Sequence, residues 1–254
     1  MIMVLLKFSI MHFIGKVYVC MTKSIVKEKK GKYTISEIVS RIQKIGYTQG
    51  LNNAFTTFLE MMAVGLAIDM DPTKKQERET RVEELEKGLS KEILQEYASL
   101  CALMYLVVKE NMDSPIDILG TVYHELRLNN EWNGQFFTPD NICRMMALMA
   151  GPYDETIIQK KGYITINEPS CGSGTMVIAA AWAMQQRNME YQKNALFIAQ
   201  DIDIRCVWMA YIQFCLYRIP AVVIHGNTLT CEEWSRWYTP YFWKLIGGKK
   251  SESI

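Results

Sequence analysis

From residue 163 onward, short apolar runs rich in β-branched residues alternate with longer helix-forming stretches. Three runs predict strands, namely YITINEP, ALFIAQDID and AVVIHGN. Two stretches between them predict helices, namely SCGSGTMVIAAAWAMQQRN and IRCVWMAYIQFCLYRI. Strand and helix alternating at this spacing favour parallel strands joined by right-handed crossovers. The predicted fold class is therefore α/β, with a helical N-terminal domain followed by a partial Rossmann-like domain of about three parallel strands and flanking helices.

The chain before this alternation has helical patterns only. ISEIVSRIQKIG is amphipathic, LNNAFTTFLEMMAVGLAID is more apolar, and Asp71-Pro72 then breaks the chain. Residues 74–110 predict helix, charged at first and apolar later, and Ser114-Pro115 begins a further short helix. We therefore expect four segments: an apolar and then basic segment at 1–33, a helical domain at 34–130, the α/β domain at 131–229 and an aromatic tail at 230–254.

Composition limits the classes of function. The chain has 254 residues, of which 49% are hydrophobic and 22% charged, which is typical of a soluble globular protein. A formal net charge of +1 gives no overall field for nucleic acid, so any basic surface is local. The seven cysteines have neither a C-x-x-C pair nor the spacing of metal ligands. This usage predicts reduced thiols in a cytoplasm and no metal site.

The first 21 residues are apolar but are interrupted by Lys7, His12 and Lys16. No uninterrupted run reaches the roughly 20 residues of a membrane span, and the segment lacks the basic start and cleavage site of a signal peptide. We expect either a start codon assigned upstream of Met21 or a short element that packs on the body, and no membrane partner. The lysine-rich run at 22–32 is typical of a solvated tail, with phosphate binding as the alternative.

The turn after the first predicted strand is the main candidate for a ligand site. In an α/β sheet, ligands bind where strands end and helices begin, and glycines there let the backbone approach the ligand. Here Glu168 ends the strand, and Gly172 and Gly174 follow before the helix. The third glycine of a dinucleotide motif is missing, and Asp201 comes too late in the sequence for a nicotinamide site. No G-K-[ST] follows either, so a nucleoside held by carboxylates fits best.

Several segments together resemble one known family. GQFFTP at 134–139, NEPSCGSGT at 167–175 and AQDID at 199–203 are similar to successive motifs of S-adenosylmethionine-dependent adenine DNA methyltransferases. DILGTVYHE at 117–125 is similar to the usual lead-in to the first motif. Within the family, the modification subunits of type I restriction systems are the most similar group. The resemblance covers residues 117–229.

The resemblance implies a set of residues that bind S-adenosylmethionine. Residues 137–139 would line the methionine end, and Glu168 would lie near the amino group of the cofactor. Asp201 would accept hydrogen bonds from both ribose hydroxyls, and Ile202 would contact the adenine ring. Asn227 stands where aspartate is usual and would meet the adenine amino group. The full set is Phe137, Thr138, Pro139, Glu168, Pro169, Cys171, Gly172, Gly174, Asp201, Ile202 and Asn227.

One motif of the family is missing from this sequence. Members carry an apolar strand that ends in [ND]-P-P-[YF], which receives the flipped adenine. The nearest match, TPYF at 239–242, lacks the asparagine or aspartate, and we expect a turn beside surface aromatics instead. A sheet without that strand leaves the edge of the strand with Ile164 and Ile166 open. We expect the aromatic C-terminal stretch or another polypeptide to cover that edge.

The resemblance implies methyl transfer from S-adenosylmethionine to the exocyclic amine of adenine in DNA. Because the acceptor motif is missing, we expect activity to need a partner chain that carries it, and the catalytic residues remain unassigned. A homo-oligomer is the other partner hypothesis. The alternative function is a non-catalytic methyltransferase-like module that binds cofactor, DNA or a restriction–modification subunit.

Overall fold

The computed structural model describes residues 32–128, 138–150 and 155–247, which form two compact units. The first unit comprises residues 32–110 and 121–128. The second comprises residues 111–120 together with the described residues from 138 onward. Residues 111–120, which the sequence pattern assigned to the helical domain, therefore group with the α/β unit.

The first unit consists of helices over its described residues. Their bounds are α1 (Ile35–Gln49), α2 (Leu51–Ala67), α3 (Lys75–Lys87) and α4 (Lys91–Glu110), with a short 3-10 turn at Pro72–Lys74. Helix α1 begins at a capping box, in which the backbone N–H of Thr34 donates to Glu37 at 3.0 Å. Helix α2 contacts α1, α3 and α4. The buried core of the first unit includes Ile38, Ile42, Ala54, Phe55, Phe58, Tyr97, Leu100 and Met104.

The stretch at 74–110, predicted as helix, forms two helices with a short break between them. Helix α3 ends before Gly88, and the Ser90 hydroxyl accepts from the backbone N–H of Ile93 at 3.4 Å near the start of α4. Glycine after a helix and serine at the next N-terminus are the usual stop and start residues. A helix α5 (Ile118–Glu125) follows, and its residues are divided between the two units.

The second unit is built on a sheet whose described strands run in the order β1-β2-β3-β4. Their bounds are β1 (Ile164–Glu168), β2 (Ala195–Asp201), β3 (Ala221–Asn227) and β4 (Glu232–Tyr238). The first three are parallel, as the alternation predicts, and β4 is antiparallel to β3. The predicted fold class is confirmed, with one additional strand.

Helices cover both faces of this sheet. They are α6 (Asp140–Ala150), α7 (Glu155–Lys161), α8 (Thr175–Gln186), α9 (Tyr191–Asn194), α10 (Ile204–Leu216) and α11 (Pro240–Gly247). On one face, Phe242 and Leu245 of α11 pack with Leu196, Val222 and Ile224. Helix α10 contacts β2 and β3, and α6 packs on α8 through small side chains of both helices, namely Cys143, Ala147, Ala179 and Ala183.

The C-terminal stretch, expected as a tail without regular structure, forms β4 and α11. The side chains of β4 alternate between the two faces of the sheet. Trp237 contacts Tyr211 of α10, whereas Tyr238 packs with the apolar side chains beneath α11. Thr239 then joins the two elements, and its hydroxyl donates to the Ile219 carbonyl at 2.8 Å. The aromatic side chains therefore stabilise the side of the sheet formed by β3 and β4.

The structure excludes one of the two alternatives for the edge of β1 and leaves the other, a second polypeptide, untested. The aromatic stretch pairs with β3, so the expectation that it covers the β1 edge is wrong. Within the described part of the chain, no strand pairs with the outer edge of β1. Among the described helices, none is both long and apolar enough to cross a membrane.

Candidate functional site

Three polar side chains lie at the carboxyl ends of adjacent parallel strands. Glu168 ends β1, Asp201 ends β2 and Asn227 ends β3. The register places Glu168 beside Ala199 and Asp201 beside His225. Parallel strands in this order bring their ends to one edge, so the sequence-predicted positions come together at the place where α/β sheets bind ligands.

The glycine turn between β1 and α8 is held against the end of β2. The Cys171 N–H donates to the Gln200 carbonyl, and the Gly174 N–H donates to the Cys171 carbonyl, both at 2.8 Å. Gly172 and Gly174 have φ values of 53° and 96°, in the left-handed region that favours glycine. A Cβ on Gly174 would also lie 2.6 Å from the ring of Phe214. Only glycine therefore fits at position 174.

Asp201 is fixed by backbone donors on both sides of its carboxylate. Its Oδ2 accepts from the Gly172 N–H at 2.8 Å, and its Oδ1 accepts from the Asp203 N–H at 2.9 Å. Burial raises the pKa of Asp201, and these two N–H groups partly offset the rise. Since each carboxylate oxygen has two lone pairs, the side chain keeps acceptor capacity for further donors.

Glu168 adds a second carboxylate to the same edge. It is half-buried, and its Oε1 accepts from the Ser170 N–H at 3.3 Å. Burial raises the pKa of Glu168, the Ser170 N–H lowers it, and the charge of Asp201 raises it again. Two half-buried carboxylates that repel each other favour a ligand that brings hydroxyl donors or a positive charge.

Asn227 is engaged in its own turn. Its Oδ1 accepts from the backbone N–H groups of Leu229 at 3.0 Å and Thr230 at 3.4 Å. The neighbouring Thr228 hydroxyl donates to the Pro169 carbonyl at 2.6 Å, which ties this loop to the glycine turn. Because its oxygen already accepts two bonds, Asn227 shapes the loop and offers a ligand mainly its amide N–H groups.

Ile202 and Cys171 differ in what they present. Ile202 follows Asp201 and presents an apolar side chain with 57% of its surface exposed. Its carbonyl lies 3.2 Å from His225 Nε2, and the His225 ring packs edge-on against Trp234. Cys171 is buried, and burial raises the pKa of its thiol well above the ordinary value. It therefore lines the turn as a neutral thiol and is a poor nucleophile.

The remaining predicted residues lie at the start of α6, except Phe137, which falls outside the described residues. Thr138 and Pro139 are exposed, and the Pro139 carbonyl accepts from Ile142 and Cys143 in the first turn of α6. The pKa of the Cys143 thiol is raised to about 11, first by burial and then by carboxylates that include Glu168.

A buried polar network behind the glycine turn was missed by the sequence analysis. Asp117, Ser173, Thr175 and Gln213 are all buried and hydrogen-bond to one another. Gln213 gave one usable signal, since it is a lone amide in an otherwise apolar helix. Asp117 gave none beyond its place in the lead-in motif, because its side-chain partners lie 56 to 96 residues away.

The TPYF segment at 239–242 lies at the opposite end of the sheet. Tyr238 pairs with Val222 near the start of β3, and the Thr239 N–H donates to the Ala221 carbonyl at 3.0 Å. The carboxylates stand where β1 and β2 end. Thr239 precedes α11, residues 240–242 form its first turn, and Phe242 is buried. The segment is therefore the start of a helix and not the expected turn beside surface aromatics, and it lies too far from the carboxylates to serve as the missing acceptor motif.

Parallel strands with a glycine turn and carboxylates at their carboxyl ends place this unit in the class of α/β domains that bind ligands at such an edge. The model of the N-6 DNA Methylase family matches residues 114–243, just over half of the chain, and the chain belongs to this family.

Two of the solved structures that are similar to the chain are methyltransferases by their descriptions. A putative class I S-adenosylmethionine-dependent methyltransferase from Listeria monocytogenes has 15% identity and a TM-score of 0.42, over 77% of this chain and 54% of that one. A type I restriction–modification system methyltransferase subunit from Streptococcus thermophilus has 17% identity and a TM-score of 0.40, over 85% and 44% respectively. The chain spans about half the length of each. No curated protein matches it.

Proposed function

We propose that the second unit binds S-adenosylmethionine at the ends of β1 and β2 and takes part in methyl transfer to the exocyclic amine of adenine in DNA. The observation that carries the proposal is Asp201, a half-buried carboxylate held between the N–H groups of Gly172 and Asp203. A carboxylate fixed in this way at a strand end is suited to accept two neighbouring hydroxyls.

The residues at this edge fit the chemical groups of the cofactor. Asp201 would bind the ribose hydroxyls, Ile202 would contact the adenine ring, and Glu168 would lie near the charged amino group. The turn formed by Pro169, Cys171, Gly172 and Gly174 would bring its backbone against the cofactor. Phe137, Thr138 and Pro139 would line the methionine end, and Asn227 would border the adenine through its loop. The bound cofactor supplies an electrophilic methyl group, and the protein contributes position and electrostatics.

We further propose that a second polypeptide supplies the acceptor motif and pairs with β1. Within the described residues, β1 has an unpaired outer edge, and its exposed side chains are the neutral Thr165 and Asn167. The other outer strand, β4, exposes Glu232, Glu233 and Arg236, which deter pairing. An uncharged open edge next to the cofactor turn is a suitable place for a strand that carries the adenine-binding residues.

A second candidate function is a non-catalytic module that binds cofactor, DNA or a restriction–modification subunit. Two observations favour it: TPYF lies at the far end of the sheet, and the oxygen of Asn227 is occupied by its own turn. Both candidates share the cofactor site and differ in whether methyl groups reach DNA.

The first experiment is calorimetric titration with S-adenosylmethionine. We expect Asp201→Asn to weaken binding by about tenfold or more, the effect of losing charge-assisted hydrogen bonds. Asp203→Asn is the matched control, because Asp203 caps α10 and asparagine caps a helix equally well. Failure of the unmodified protein to bind would overturn the proposal.

The second experiment measures transfer of radiolabelled methyl groups to DNA, with and without lysate of the source cell. Transfer that requires lysate supports the partner, and no transfer under either condition favours the non-catalytic module. Thr165→Lys places a charge on the β1 edge and is expected to abolish lysate-dependent transfer. Gln186→Lys, at the exposed C-terminal end of α8, adds the same charge away from the β1 edge and the ligand edge, and as the control it is expected to leave transfer unchanged.

A further inference from the structure

The buried network behind the glycine turn centres on the carboxylate of Asp117. Its Oδ1 accepts from the Gly120 N–H at 2.8 Å and from Gln213 Nε2 at 2.9 Å. Its Oδ2 accepts from the Ser173 hydroxyl and from the Thr175 hydroxyl, the latter at 2.6 Å. Four donors therefore compensate the burial of this carboxylate, which is 6% exposed.

Gln213 of α10 completes the network, and all of its polar groups have partners. Its Nε2 donates to the Asp117 carboxylate and to the Ser173 carbonyl, both at 2.9 Å. Its Oε1 accepts from the backbone N–H groups of Ile118 at 2.7 Å and Leu119 at 3.2 Å. Asp117 and Gln213 together satisfy the first turn of α5, and both hold Ser173.

Ser173 is the residue between the two glycines of the turn. Glycines restrict their own backbone less than any other residue, so Gly172 and Gly174 do not fix the turn by themselves. The network fixes it through both the hydroxyl and the carbonyl of Ser173. On the other side of the turn, Gly172 directs its N–H at Asp201 Oδ2.

Gly120 lies where Asp117 and Ser173 approach each other closely. A Cβ on Gly120 would overlap Asp117 Oδ2 and would lie 2.5 Å from the Ser173 hydroxyl oxygen. The absence of a side chain at position 120 is therefore a condition for the contact between Asp117 and Ser173. This observation is independent of the hydrogen bonds themselves.

We propose that Asp117 is a positioning residue that holds the glycine turn in its cofactor-binding conformation, through Ser173 and Thr175. This inference rests on the proposed cofactor function of the turn. It assigns the lead-in segment a role in binding, although Asp117 itself lies behind the turn and does not belong to the set of predicted contact residues.

Two substitutions test the proposal without changing side-chain shape. Asp117→Asn removes the charge, and Thr175→Val removes one donor to Oδ2. We expect each variant to remain folded and to bind S-adenosylmethionine about tenfold more weakly, the size of one lost charge-assisted hydrogen bond. The matched control is Thr239→Val, which removes an equally buried hydroxyl at the other end of the sheet. It should lower the melting temperature but change Kd by less than about twofold.

A readout on the free protein separates this inference from the cofactor function. Exchange of the Gly172 amide, which donates to Asp201, should be faster in Asp117→Asn and Thr175→Val than in the unmodified protein and Thr239→Val. Wild-type binding and an equally protected Gly172 amide in both variants would overturn the positioning role. If the unmodified protein does not bind S-adenosylmethionine, the proposed function fails, and the Gly172 amide still tests the conformation of the turn. If Asp117→Asn does not fold, Thr175→Val decides.

Discussion

The backbone N–H of Gly172 donates a hydrogen bond to Oδ2 of Asp201 across a distance of 2.8 Å. The two residues are 29 positions apart: Gly172 lies in the turn that follows β1, and Asp201 is the last residue of β2. The bond joins the most flexible residue type of the turn to the carboxylate that the proposed cofactor would contact. Changes at either residue are therefore expected to affect binding through the other.

Cofactor affinity should depend on pH through Asp201 and Glu168. Burial raises the pKa of both carboxyls above their ordinary values of 3.8 and 4.5. Hydroxyl and ammonium donors bind the ionised form, so affinity should fall as the pH drops from about 7 towards these raised pKa values. Calorimetry at several pH values checks this, and Asp201→Asn should show a weaker dependence. An affinity that is constant down to about pH 4 would contradict it.

The raised pKa values of Asp201 and Glu168 also predict how the stability of the second unit changes with pH. A carboxyl with a raised folded-state pKa binds its proton more tightly in the folded chain than in the unfolded chain. Its contribution to stability is fully present below the unfolded pKa and is lost as the pH rises through the folded pKa. The free energy of unfolding of Asp201→Asn, relative to that of the unmodified protein, should therefore be higher at neutral pH than at acidic pH. Urea unfolding of both proteins at both pH values measures this difference.

Gly174→Ala should destabilise the second unit strongly. Alanine would have to adopt a φ of 96°, and its Cβ would lie 2.6 Å from the Phe214 ring. Strain and overpacking together are expected to cost about 2–5 kcal/mol in the free energy of unfolding. Gly88→Ala is the control, because its backbone is helical and its nearest neighbour is 4.0 Å away. That variant should be neutral or slightly stabilising in the same denaturation experiment.

Arg144→Lys should destabilise the packing of α6. The guanidinium donates to Asp140 at 2.6 Å and to the Pro115 carbonyl at 2.8 Å, and it stacks 4.5 Å from the Trp182 ring. Lysine cannot make these contacts at once, and we expect a loss of about 1–3 kcal/mol. Arg236→Lys changes an exposed pair with Glu233 and should cost less than about 1 kcal/mol. Equal losses in chemical denaturation would contradict this account of Arg144.

The cysteines should differ in reactivity in the native protein. Cys231 is exposed, whereas Cys171 and Cys101 are buried, with pKa values that burial raises. Because the thiolate is the nucleophile, a limited dose of iodoacetamide should alkylate Cys231 well before the other two. Mass spectrometry of the digested protein checks the order. Rapid modification of Cys171 would show that the turn opens to solvent and would contradict the buried, held conformation.

The sequence by itself determined the parallel part of the fold and the residues at its ligand edge. The apolar patterns of strands and helices can be recognised within short stretches of sequence. Parallel crossovers then bring the carboxyl ends of successive strands to the same edge of the sheet. Glu168, Gly172, Gly174 and Asp201 could therefore be placed together without any knowledge of side-chain packing. The helices of the first unit were predictable for the same reason, since their apolar period and breaks are local.

Only the tertiary structure decided where β4 lies and what supports the glycine turn. EEWSRWY has little strand character of its own, and it becomes a strand because it pairs with β3 and packs Trp237 and Tyr238 on opposite faces. Asp117 lies more than 50 residues from each side-chain partner in its network, and bonds over such separations leave no periodic signal in a sequence. Long-range pairing and buried hydrogen bonds depend on which surfaces meet, and that is settled only when the chain folds.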